Sequence, residues 1–144
     1  MTDDGAQRLV DRVMALWANP VPDGPAGEAA FAECYADPLT VNGTHFALTD
    51  LVTRARNLHA AHSVIRPELL QVLAAPGHVV VAFVMHVRHT GPLATPLGTV
   101  PGTGREAAAR TIDILAVRDG KITDITVVSD ELGMLTQLGA LRLA

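Results

Sequence analysis

Between Arg105 and Gly139 the chain alternates through two strand lengths around a short turn and then changes to helical spacing, which leaves few folds open. Arg105–Val117 is rich in Ala, Ile and Leu yet carries Arg110, Thr111 and Asp113. Arg118-Asp119-Gly120-Lys121 supplies the left-handed-tolerant pair that a tight hairpin needs, and Ile122–Val128 returns as the second strand. Ser129-Asp130 then opens a helix with Leu132, Leu135 and Leu138 at helical spacing before Gly139. A hairpin of this kind carries polar groups into an apolar setting, the arrangement that a binding or catalytic pocket requires.

The elements upstream come in the order helices first, strands later, which predicts an α+β fold rather than alternating βαβ units. Leu9, Val13, Leu16 and Trp17 make one face of a first helix ending before Asn19-Pro20, and a Pro/Gly-rich link, 21–27, leads to a second helix ending near Cys34-Tyr35. Pro38–Val41 reads as a short strand, Asn42-Gly43 as a turn, and Thr49-Asp50 as the cap of a third helix reaching about His62. Val64–Leu73 and His78–His89 read as strands, and the Pro, Gly and Thr content of 91–104 marks a long loop of the kind that forms lids and binding edges. With 144 residues, 49% of them hydrophobic, the chain is expected to be one domain, 1–144.

The strand His78–His89 has two sets of side chains: Val79, Val81, Phe83, Met85, Val87 and His89 on one face, Val80, Ala82, Val84, His86 and Arg88 on the other. Both sets begin apolar and end polar, so both faces are expected to be covered, one by helices and the other by a second copy of the chain. With only 18% charged residues, a homodimer built on sheet surfaces is the expected assembly. Arg110, Ile112 and Ile114 group with Ile125, Val127 and Ser129 as one surface, and parity alone leaves open which set lines a cavity.

At this point the chain resembles the SnoaL-like polyketide cyclase branch of the nuclear-transport-factor-two-like superfamily. The likeness rests on His89-Thr90-Gly91, Gly102-Thr103-Gly104-Arg105, Ile112-Asp113-Ile114, Asp119-Gly120-Lys121-Ile122, Ser129-Asp130-Glu131-Leu132-Gly133 and Gln137-Leu138-Gly139, with Tyr35-Ala36-Asp37 and Val41-Asn42-Gly43 in the first half. It implies a cone: a strongly curved mixed sheet with N-terminal helices over the concave face, a short C-terminal helix and an enclosed apolar pocket, commonly dimeric through the sheet. It also implies cofactor-independent general acid/base chemistry on a hydrophobic, polyketide-like molecule. Cyclases of this type usually carry Trp then Asp on the final strand, where this chain has Thr126 and Val127. Val cannot exchange a proton, so Asp130 or Asp113 would have to substitute, with His89 as a third candidate catalytic group. Candidate substrate-binding residues are Arg110, His86, Phe83, Met85, Val127, Trp17, Asn42 and His62.

Each candidate has a plainer reading. Asp130 directly precedes a helix and is a favoured N-cap as well as an acid at a strand end. Asp113 lies within an apolar strand and is expected to meet Arg110, Arg88 or a hydroxyl. Six histidines raise a metal site, but His59 and His62 lack a third ligand nearby and His86 and His89 fall on opposite faces, so none is expected. Gly102-x-Gly104-x-x-Ala107 leads into a strand instead of a helix, so no nucleotide cofactor is implied, and no Gly-x-Ser-x-Gly elbow occurs. Dispersed basic residues and a net charge of -4 argue against nucleic acid, and an acidic start, a single Cys34 and the absence of a long apolar run suggest a cytoplasmic protein without a membrane partner. Two functions stay open: an enzyme of the cyclase, isomerase or epoxide-opening type, and a non-catalytic binder of an apolar small molecule.

Overall fold

The computed structural model describes residues 1–144. Helix α1 (Asp3–Ala18) starts where the Thr2 hydroxyl accepts the Gly5 N–H at 3.0 Å and Asp3 and Asp4 face the positive end of the helix dipole. Its apolar stripe, Leu9, Val10 and Val13, is buried. Helix α2 (Pro25–Ala32) opens on Pro25, whose missing N–H costs nothing in the first turn. Helix α3 (Leu48–Ala61) begins one residue before the expected cap: Asp50 lies inside the first turn and accepts the Ala47 N–H at 3.0 Å. Tyr35, expected at the end of α2, instead begins strand β1 (Tyr35–Val41), which turns at Asn42 and Gly43, both at positive φ, into β2 (Thr44–Phe46).

Long strands β3 (His62–Ala75) and β4 (His78–His89) form one hairpin, and β7 (Glu106–Arg118) and β8 (Lys121–Ser129) another. The 91–104 loop holds a small hairpin of its own, β5 (Leu93–Thr95) and β6 (Gly98–Val100), and a last short helix, α4 (Glu131–Gln137), follows β8. The main sheet runs β2-β1-β8-β7-β4-β3, antiparallel except for the parallel β1–β8 pair. Register shifts in the β1–β8, β3–β4 and β7–β8 pairs add the local bend that curves this open sheet. Helices α1–α3 pack over its concave face, where Val10, Phe31, Leu51 and Ala55 meet Val79, Val81, Leu115 and Ile122. No helix is long and apolar enough to cross a membrane.

Candidate active site

One extra residue decides which side chains meet inside the cone. In the β7–β8 hairpin Arg118 pairs with Lys121 and Val117 with Ile122, but Ala116 pairs with Asp124, so Thr123 is bulged out and the register advances by one. A regular hairpin would place Ile112 and Ile114 with Val127 and Ile125, the grouping expected from sequence. The bulge instead pairs Asp113 with Val127 and Thr111 with Ser129, and sends Arg110, Ile112 and Ile114 to the convex face.

The concave side encloses a cavity of about 400 Å³, open at one end. Its floor is formed by Phe83, Met85 and Val87 of β4, Ala109, Thr111 and Asp113 of β7, and Ile125, Val127 and Ser129 of β8. Val13 and Trp17 of α1 and Leu51, Arg54 and Leu58 of α3 form the opposite wall, and Leu93–Pro96 of the β5 hairpin lie across the mouth as a lid. Two glycines hold that lid close to the body. A Cβ on Gly91 would sit 2.1 Å from the Ala60 carbonyl oxygen, and one on Gly102 2.2 Å from that of Thr90.

Asp113 is the acid in this interior. Its register neighbours are Val81 on one side and Val127 on the other, no cation pairs with it, and its Oδ1 is buried without a hydrogen-bond partner. Burial alone therefore pushes its carboxyl up from 3.8 to about 6. Nearby, the Tyr35 hydroxyl accepts the Trp17 indole N–H at 2.7 Å, which leaves its own proton uncommitted to any protein acceptor; burial raises it far above the ordinary phenol range. Thr111 and Ser129 join their hydroxyls at 2.9 Å across the β7–β8 pair.

At the lid end lie two buried imidazoles with ring centroids 5.8 Å apart. His62 Nδ1 faces the Leu58 carbonyl at 2.9 Å, so it carries the hydrogen and Nε2 is a bare acceptor. His89 Nδ1 accepts the Thr103 backbone N–H at 3.3 Å, so its hydrogen lies on Nε2. Both Nε2 atoms are buried without partners, and desolvation lowers the pKa of His62.

Trp17, His62, Phe83, Met85, Asp113 and Val127 thus line one cavity, and the other sequence candidates lie elsewhere. Asp130 is exposed and caps α4, its Oδ1 accepting the Gly133 N–H at 2.8 Å. Arg110 points outward, because its even-numbered position on β7 shares the convex face with Ile112, and Arg88 pairs with Glu106 at 2.7 Å, so neither meets Asp113. His86 is on the convex face, bonded to Glu68 at 2.8 Å. Asn42 brackets the β8 backbone, donating to the Val127 carbonyl and accepting its N–H. His89 lies behind the cavity wall with no exposure. The sequence reading missed Tyr35, Thr111, Ser129 and Arg54. Tyr35 was visible as the chain's one tyrosine, but no local pattern marks a hydroxyl that a distant indole holds in place.

A curved mixed sheet roofed by helices over an apolar cavity with a few inward polar groups is the architecture of the nuclear-transport-factor-two-like fold. Within it, the profile of the SnoaL-like polyketide cyclases matches residues 7–138, and the chain belongs to that family. Among solved structures, TsrD from Streptomyces laurentii superposes with a TM-score of 0.82 at 20% identity, covering 98% of this chain and 99% of that one. AclR from Streptomyces galilaeus, a proposed hydroxylase, gives 0.78 at 17% identity with 99% and 90% coverage. IdmH from Streptomyces antibioticus, a proposed polyketide cyclase, gives 0.72 at 17% with 93% and 98%. At such identities the likeness is one of fold. No match was found among curated proteins.

Proposed function

We propose that this protein is a cofactor-independent enzyme of the cyclase or isomerase type, moving a proton at a carbon next to a carbonyl group of a hydrophobic small molecule. The observation that carries this reading is Asp113: an unpaired carboxyl in an apolar cavity, with its pKa raised to about 6, is suited to take up and return a proton near neutral pH. The ionised carboxylate removes the α-proton, and the electron pair moves into the carbonyl oxygen. Tyr35 then donates its free O–H to that oxygen while Trp17 holds the phenol in place. The apolar walls exclude water and strengthen both interactions. Asp113 thereby takes over from the family's usual final-strand acid, whose position is Val127, its direct cross-strand partner. We infer further that the apolar convex face seats a second copy of the chain.

The experiment is α-proton exchange into D2O, followed by NMR, over a panel of aryl ketones and β-keto esters. The wild-type protein should accelerate exchange of at least one, with a rise in rate centred near pH 6, and Asp113→Asn should abolish the acceleration while still binding the compound. Equal exchange in the variant removes Asp113 as the base. Binding without exchange by the wild-type protein would make it a carrier of apolar molecules instead.

A further inference from the structure

Arg54 is the one lysine or arginine side chain lining the cavity, and it is uncommitted. Its neighbour on α3, Arg56, donates to the Pro22 and Gly24 carbonyls at 3.0 and 3.3 Å, Arg88 pairs with Glu106, and Arg105 reaches the Gln137 carbonyl. Arg54 has no carboxylate partner and no hydrogen bond to the protein. What holds it is the Phe46 ring, 4.9 Å from its guanidinium carbon. That contact uses no N–H hydrogen bond, so the guanidinium keeps its donors free to match a carboxylate in a two-bond fork. Glu131, on the α4 side of the lining, forms no ion pair with it, and Asp113 lies on the floor.

Resting on the reading of this cavity as a small-molecule site, we propose that its natural ligand is an amphipathic acid, and that Arg54 is the specificity residue that takes the ligand's carboxylate while the apolar body enters toward Asp113. An apolar cavity alone does not discriminate an acid from its ester. A guanidinium at one wall does, because the acid gains charge-assisted hydrogen bonds that the ester lacks.

The test uses decanoate and methyl decanoate, both transparent where the single tryptophan absorbs, with the fluorescence of cavity-lining Trp17 as the readout at pH 7.5 and low salt. Decanoate should bind the wild-type protein about tenfold or more tightly than the ester. Arg54→Gln should erase that preference while leaving ester affinity within about twofold, and Arg54→Lys, which keeps the charge but loses the fork, should fall between. Added salt should weaken the acid and spare the ester. A Gln variant that still prefers the acid, or a wild-type protein that prefers the ester, overturns the proposal. If neither compound perturbs Trp17, the small-molecule reading fails and the proposal fails with it.

Discussion

Two aspartates seventeen positions apart have opposite fates, and the difference is one of surroundings. Asp113 is flanked in register by Val81 and Val127 and is pushed up to about 6, whereas Asp130 is exposed and occupied with the first turn of α4. In the unfolded chain Asp113 returns to its ordinary value, so between about pH 4 and 6 the folded state holds a proton that the unfolded state has released. Its contribution is therefore neutral below about pH 4, turns destabilising as pH rises from about 4 to 6, and stays constant above that. Asp113→Asn should gain up to about 3 kcal/mol over wild type at pH 8 and almost nothing at pH 4, read from denaturant melts at both values. A gain of the same size at both would show that its proton is not linked to folding. At Asp130, Ala should cost about 0.5–2 kcal/mol and Asn far less, and neither should alter α-proton exchange. Loss of exchange in Asp130→Asn would return the proton-transfer role to that residue.

Among the elements, those set by local pattern were legible and those set by pairing were not. His78–His89 stands as β4 with the bounds expected, and Asp119-Gly120 makes the expected tight turn at φ 52° and 76°. The 91–104 segment shows in sequence the composition of a lid-forming loop but not its hairpin, because Leu93–Thr95 and Gly98–Val100 are too short to show alternation. The grouping of Arg110, Ile112 and Ile114 with Ile125, Val127 and Ser129 fails for a different reason: Thr123 has no residue signature of a bulge, and the register shifts beside it in the pairings of β8 with both β1 and β7. For the lid, the contact of Gly91 with Ala60 gives a direct expectation. Gly91→Ala forces the backbone away from α3, so amide exchange across 93–100 should speed up and decanoate should bind more weakly. Unchanged exchange there would mean that the lid is held by its own hairpin alone.

At the scale of the whole molecule, the convex side of the sheet exposes Leu73, Ile112, Ile114 and Val128, with Val128 at 71% exposure. Leu73, Val80 and Ile114 align across three strands, with Ile112 beside Val128 one step along, so the patch is continuous. The second copy proposed above would cover that patch. Sedimentation at micromolar concentration should report two chains for the wild-type protein and one for Ile112→Lys, and a wild-type monomer would leave the face without a partner. Inner and outer surfaces belong to the same strands, and here the single bulged Thr123 acquires a second meaning. It works like a frameshift written in side chains: downstream of it, β8 gives Ile125, Val127 and Ser129 to the ligand and Thr126 and Val128 to the outside. If the same residues paired without the bulge, Ile112 and Ile114 would meet Val127 and Ile125, and the two sets would change sides with no letter of the sequence changed. A change from bulged to regular pairing could therefore trade what a cavity binds against what a surface joins in one step, whereas point substitutions would have to rewrite both faces together.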